Sequence, residues 1–431
     1  MGKLRAAAGE VDLKPPIGGW MTGFAARIKP STATHDPLMA HAVLLDDGKT
    51  RLAIVSCDLI GFTPAAVVEM RQNIVARSNI PAANILICCT HTHSGPASMP
   101  LRGALGHVDS DWLGKAQGKI VDLVVGLPSA LAPARVGYSS TRVPGIGYNR
   151  QDQSHPIDEE LGALAIDGAD GSTIATLINY ATHAVVLGPG NLAYSGDFPG
   201  VAARQIQALR GGIGLYLQGA CGDVDPLVYR DRGWGSGTFE DTRQIGQRLA
   251  DVAARLLGDA PRTDAVRLRV RSKTIPVPLD PPPSPEALAT LIAGFEADRE
   301  RARAEANSMD EQVALAMLSW AGELGRAIAA GVVPQTIPAE LFAAGINGLR
   351  LVGAPFEAYS DIGLGIKAGL PRQAFFVGYA NGLIGYCPTH WAKDQGGYGA
   401  DSAARWFAGL LTAIGYGADE LIIREGVALA E

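Results

Sequence analysis

A chain of 431 residues, 47% hydrophobic and 19% charged, holds enough apolar material for one large α/β domain or two smaller ones. Its net charge of −6 and pI near 5.8 argue against a nucleic-acid surface and against electrostatic attraction to anionic lipid. Five cysteines without CxxC spacing indicate neither a disulfide framework nor a cysteine-based zinc site. The N-terminal MGKLRAAAGEVDLKPP lacks the apolar core of a signal peptide, and no run is expected to span or anchor in a membrane, so a cytoplasmic location is expected.

In chain order, residues 15–30 (PPIGGWMTGFAARIKP) have the Gly- and Pro-rich composition of an ordered loop. Leu38 to Leu45 and Arg51 to Leu59 are apolar runs joined by Asp46-Asp47-Gly48-Lys49, and Asp-Gly at such a junction predicts a hairpin. Pro64 to Ser78 has helical spacing, with Val67, Val68, Ile74 and Val75 assigned to one side. A central strand follows, Ile85 to Cys89, whose unbroken run ILICC suits burial on both faces. Further helices are predicted over Asp111–Leu127, about Gly200–Leu209 and Asp241–Leu257. Strands are predicted over Ala134–Ser139, Leu161–Ile166, Thr173–Asn179 and Gly214–Leu217.

The proline-rich stretch from Asp280 to Pro285 leads into two helical segments, 285–307 and 310–331. They form a helical insertion at about 281–333, with a solvated charged face and no evident chemistry. Strands resume at Glu340–Ala344, Leu349–Val352 and Ala374–Val377, and a helix near 401–414 and a short amphipathic tail finish the chain. The expected architecture is one α/β domain over 1–431, a mixed-sheet core with flanking helices.

Chemistry gathers at predicted strand ends. Ile85–Cys89 runs into Thr90-His91-Thr92-His93 and is broken by Ser94-Gly95-Pro96. In an extended chain, side chains at i and i+2 share a side, so His91 and His93 would project together. Such a pair can hold a divalent metal, or one can bind while the other handles protons. The plainer alternative is a pair of turn histidines bonded to backbone. His183, Asp223, Glu357 and Tyr386 also follow predicted strands, and that edge is where α/β proteins bind ligands. Glu357 lies in the apolar stretch LVGAPFEAY, where an unpartnered carboxylate is costly to bury; its alternative is an exposed residue at a helix start. Asp197 and Asp223 suit either ligand orientation or turn capping, and Arg150 either carboxylate pairing, oxyanion stabilisation or solvent. GxSxG, GxxxxGK[ST] and HExxH motifs are absent, as is a GxGxxG after a first strand.

The motifs PPIGGWMTGFA, THDPLMAHAVLLDDG, VSCDLIGF, CCTHTHSGP, YNR, NYATHAVVL, YSGDFPG, GACGDVDP, PFE and YANGLIGY together resemble the catalytic domain of the neutral/alkaline non-lysosomal ceramidase family. The resemblance spans about residues 8–400 without the helical segment. It implies Zn2+ on His91, His183 and Glu357, with Tyr386 as fourth ligand, His93 as an acid/base or carbonyl-binding group, and Arg150 at the active site. It also implies substrate contacts at His35, Gly219 and Asn381, and supporting carboxylates at Asp58, Asp197 and Asp223.

Three departures stand out. The chain reads QGACGDVDP against a family pattern QSNxGDVSP, which sets Gly219 at a serine position; Leu383 replaces a tyrosine; and the family's C-terminal immunoglobulin-like domain is not expected. The implied reaction is zinc-dependent hydrolysis of an amide by attack of zinc-bound water, on a small or moderately polar N-acyl substrate. Hydrolysis of ceramide, or of an ester or lactone, is the alternative, and a homo-oligomer is compatible with either.

Overall fold

The structure is a computed structural model that describes residues 2–431. Apolar runs make the larger sheet two-faced: Val43, Leu45, Leu52, Ile54, Leu86 and Cys88 enter one core, and their neighbours Ala42, Leu44, Ala53, Val55, Ile87 and Cys89 another. This sheet has eight strands in the spatial order Ile213–Gln218, Thr173–Tyr180, Glu160–Gly168, Ala132–Arg142, Arg5–Asp12, Met39–Asp46, Arg51–Cys57 and Ile85–Cys89. The pairs at its two ends are parallel and the rest are antiparallel.

One face packs on a second sheet of four strands, Leu268–Pro278, Thr336–Ile346, Leu349–Gly353 and Ala374–Val377, through Phe342, Ile346, Leu351 and Phe375. Helices Pro64–Arg77, Ser110–Gly126, Asp197–Arg210 and Phe239–Gly258 cover the other face of the large sheet. Ser360–Gly369 and Ala418–Ala430 pack together beside the small sheet. The result is the expected mixed α/β core, arranged as helices, sheet, sheet and helices.

Several expectations change. Strands Arg5–Asp12 and Leu268–Pro278 were not foreseen; the second alternates basic and apolar residues at a sheet edge, a weak signal. The helix expected near 401–414 is only a short 3-10 turn, Ser402–Trp406, and the helix of this region is the tail, Ala418–Ala430. In Pro64–Arg77 the buried stripe is Val67, Met70 and Ile74, whereas Val68 and Val75 face solvent, because residues one apart diverge by about 100°. The insertion forms helices Pro285–Ala304 and Ser308–Ala330. Contrary to expectation, Ser308–Ala330 is apolar and long enough, by length and composition, to cross a membrane. Here its Trp320, Ala321 and Leu324 pack with Leu288 of its partner helix.

Ile85–Cys89 is not central but the last strand of its sheet, yet all five residues are buried. Asn381 stands in for a further strand: its Oδ1 accepts from the Ile87 amide at 3.0 Å, and its own amide donates to the Ile87 carbonyl at 2.7 Å. Asn381 has φ of 59°, which asparagine tolerates. This bond set replaces the expected substrate contact: the side chain is consumed by the strand. Asn381→Gly, which keeps the backbone conformation, should lower unfolding free energy by about 1–3 kcal/mol in urea titrations, because the Ile87 amide loses its buried acceptor.

Candidate metal centre

Three parallel strand pairs converge on one spot. Parallel neighbours leave the sheet at the same edge, so the loop after one strand meets the loop after the next. After Ile85–Cys89 comes His91, whose Nδ1 lies 2.7 Å from the carbonyl of Ile60, beyond the neighbouring strand Arg51–Cys57. After Thr173–Tyr180 comes His183, whose Nδ1 lies 2.6 Å from the carbonyl of Cys221, beyond its neighbour Ile213–Gln218. The third pair is short, Phe356–Ala358 beside Gly385–Cys387, and sets Glu357 level with Tyr386.

Each Nδ1 must donate to its carbonyl, which leaves each Nε2 with a lone pair. Both Nε2 atoms face one oxygen: Glu357 Oε2 is 3.2 Å from His91 Nε2 and 3.1 Å from His183 Nε2. Burial pushes the Glu357 carboxyl up, but His91 and His183 outweigh it and hold the group well below the usual carboxylate range. Burial lowers His183. Metal–nitrogen bonds of about 2.0–2.1 Å in a tetrahedron give ligand–ligand edges of about 3.3 Å, which the two edges through Glu357 Oε2 match. His93 joins the cluster, with Nε2 3.1 Å from His91 Nε2 and one ring nitrogen from each of the three imidazoles within 4.8 Å of the others.

His91 and His93 do not meet by strand alternation. The strand ends at Cys89, and His91 has φ of 62°. This left-handed turn swings His91 back under Tyr379, whose ring stacks on it at 4.1 Å. His93 is held through its own carbonyl, which accepts from the buried Arg27 guanidinium at 2.7 Å. Its Nδ1 has no hydrogen-bond partner among the described residues, and burial, reinforced by His91 and His183, holds the ring well below the usual imidazole range. Gly23 permits this approach: at φ of 101°, a Cβ there would lie 2.4 Å from His93 Nδ1.

Tyr386 accepts a hydrogen bond at its hydroxyl from Arg150 at 3.0 Å, and Arg150 also donates to the Gly222 carbonyl at 2.7 Å and to Asp225 at 3.3 Å. Burial and Glu357 raise the Tyr386 hydroxyl well above its usual range, so it stays protonated. Of the supporting carboxylates, Asp223 accepts from Ser360 and from Asn149, joining the segments that carry Glu357 and Arg150. Asp58 accepts from Thr90, next to His91. Asp197 accepts from the Leu187 and Phe198 amides, fixing the chain four residues after His183.

Two expected substrate contacts fall away besides Asn381. His35 is exposed and stacks on Phe239 at 3.6 Å, clear of the cleft, on a solvent-facing bend after the short strand Ala33–Thr34. Gly219 is buried against Ala181: a Cβ there would lie 2.7 Å from Ala181 Cβ, so the position has no room for a side chain and does not line the cleft. In the same motif, it is Asp225 that reaches the cleft.

A cleft of about 790 Å³ opens over the site. Phe24, Tyr148, Tyr229, Trp234, Tyr398 and Trp406 supply aromatic walls, and Arg150, Asp225, Gln151 and His93 the polar ones. The helical insertion takes part, which the sequence did not suggest. Met309 and Val313 line the cleft, and their helix is docked by a two-point ion pair between buried Arg102 and Glu323, at 3.2 and 2.6 Å. Most of the wall residues lie on separate loops; Tyr148, Gln151, Val185, Asp225 and Tyr359 sit within two residues of anticipated site residues.

No protein-family model matches the chain. The neutral ceramidase of Pseudomonas aeruginosa is 23% identical over 266 residues, which are 56% of this chain and 40% of that protein. Neutral ceramidase of Drosophila melanogaster is 24% identical over 319 residues, 61% of this chain and 45% of that one. The crystal structure of the Pseudomonas aeruginosa enzyme superposes with a TM-score of 0.74 at 18% identity, covering 100% of this chain and 75% of that chain. In sequence and in fold the chain is similar to neutral ceramidases. A ceramidase complexed with C2 matches equally well, with a TM-score of 0.73 at 19% identity. The chain spans less than half the length of the curated relatives it matches.

One support has a pH signature. Burial raises the Asp197 carboxyl from 3.8 to about 7. The folded state therefore holds this proton more tightly than the unfolded chain, and stability falls as pH rises from about 4 to about 7, by up to about 4 kcal/mol. Asp197→Asn, which cannot ionise, should lose this part of the pH dependence; urea titrations of both proteins at pH 4.5 and 7.5 measure the difference in slope.

Proposed function

We propose that this chain is a zinc-dependent hydrolase that cleaves the amide bond of an N-acyl substrate. The observation that carries the reading is the triangle of His91 Nε2, His183 Nε2 and Glu357 Oε2, two edges of which are 3.1 and 3.2 Å, with both Nδ1 atoms committed to backbone carbonyls. His91, His183 and Glu357 would hold the ion, and Tyr386 stands beside them. Zinc, when bound, polarises a carbonyl and lowers the pKa of a coordinated water to about 7.

The chain's own groups supply the rest. Because Arg150 donates to the Tyr386 oxygen, the Tyr386 proton is free to donate to the carbonyl oxygen as it gains charge. Arg150 thus aims Tyr386, and Asp225 and the Gly222 carbonyl hold Arg150 in place. His93, neutral and with its Nε2 turned toward the donors, is placed to take a proton and return it to the leaving amine. The substrate amide would sit where the cleft meets these groups, with water excluded by the aromatic walls.

A sphingolipid amide is the second substrate reading. The relatives are ceramidases, and a 790 Å³ cleft with aromatic walls favours a long hydrocarbon group.

Purified protein should contain about one zinc per chain by elemental analysis. His183→Ala should lose the metal and lower hydrolysis of an N-acyl amide by more than about 100-fold. Zinc-free wild type, or a His183→Ala variant with unchanged hydrolysis, defeats the reading. Arg150→Ala should lower kcat by about 10²–10³ with little change in KM, since the donor it aims acts on developing charge.

A further inference from the structure

Beside the metal donors lies a second, much smaller space that adjoins the cleft. His91 and Glu357 share its wall with Leu101, Leu105, Leu383 and Phe407, and its volume is about 30 Å³ against about 790 Å³ for the cleft. At about 10–15 Å³ for each water-sized group, it holds two or three heavy atoms. Apart from His91, His93, Glu357, Tyr386 and the Tyr398 hydroxyl, the walls are hydrocarbon and aromatic ring, and that side of the recess suits methyl and methylene groups. The polar side chains Arg150, Gln151 and Asp225 face the cleft and not the recess.

An amide whose carbonyl lies at the donors would therefore extend one way into a short apolar recess and the other way into a wide, partly polar cleft. The leaving amine must take a proton and depart through the open side, which leaves the recess to the acyl half. Leu383 cannot withdraw: its amide donates to the Phe62 carbonyl at 2.7 Å, and its side chain lies so close to Gly61 that a Cβ there would fall 2.8 Å from it. It is also the position where the chain departs from the tyrosine of the family pattern.

Building on the amide-hydrolase reading, we propose that the recess receives the acyl end of the substrate, that it admits acyl groups of two or three carbons, and that Leu383 sets this limit. The natural substrates are then N-acetyl or N-propionyl amides of a larger amine.

The test uses zinc-loaded full chain and a series of amides of one amine carrying acetyl, butanoyl, octanoyl and hexadecanoyl groups. For wild type, kcat/KM should fall at least about tenfold from acetyl to octanoyl. Leu383→Ala, verified as folded by circular dichroism and by its zinc content, should flatten that fall. Calorimetry with acetate, butanoate and octanoate provides a readout without turnover: wild type should bind acetate over octanoate, and the variant should gain octanoate. Octanoyl or hexadecanoyl amides cleaved by wild type as fast as acetyl overturn the proposal, as does an unchanged length profile in the variant. Absence of hydrolysis across the series would defeat the amide reading; the acid-binding profile then decides the recess by itself.

Discussion

Two hydrogen bonds to backbone carbonyls govern the centre of this molecule. By taking the Nδ1 protons of His91 and His183, the Ile60 and Cys221 carbonyls fix both tautomers and aim both Nε2 lone pairs at one point. Each carbonyl is available only because a parallel neighbour leaves the sheet at the same edge. Glu357 arrives from a third parallel pair. Two nitrogen lone pairs and a buried carboxylate oxygen thus face one another, an arrangement whose desolvation cost an ion held between them would offset.

Around this point the chain builds tiers of restraint. Asp223 links the segments of Glu357 and Arg150, Asp58 holds Thr90, and Arg27 holds the His93 carbonyl. Arg150 in turn orients Tyr386 while packed against the faces of Tyr386 and Tyr398. The groups that would do chemistry are thus set on strand ends and held by bonds to neighbouring strands, whereas the substrate walls come from loops and from the docked insertion. Such a division leaves the reaction centre rigid while substrate walls vary.

Much of the fold was legible because its elements are strongly patterned. The hairpin around Asp47-Gly48, the unbroken strand at Ile85–Cys89 and the capped helices all formed close to their expected places. What misled was polarity without context. Leu268–Pro278 carries Arg269, Arg271 and Lys273 at alternate positions of an edge strand, where Arg271 and Lys273 bond to the tail helix, and this basic alternation is a weak strand signal. Asn381 had the residue type of a substrate contact, but only the spatial order of the sheet reveals an edge strand in need of partners. Gly219 was set where a serine was expected to act, but the backbone there is pressed on Ala181, and Asp225 is the member of that motif that reaches the cleft.

From the sequence alone, residue type and position after a strand gathered His91, His93, His183, Asp223, Glu357 and Tyr386 at one edge, since strand ends are marked by abrupt loss of apolar residues and by Gly or Pro; the family resemblance singled out His91, His183, Glu357 and Tyr386 among them. Even there the sequence erred on how His91 meets His93: alternation was assumed, while a left-handed turn brings them together. Only the tertiary structure decided which nitrogen each imidazole presents, which loops wall the cleft, and that the helix Ser308–Ala330 reaches it. Those properties depend on contacts between residues far apart in the chain, such as Arg102 with Glu323, and no local pattern of apolar and polar side chains records them.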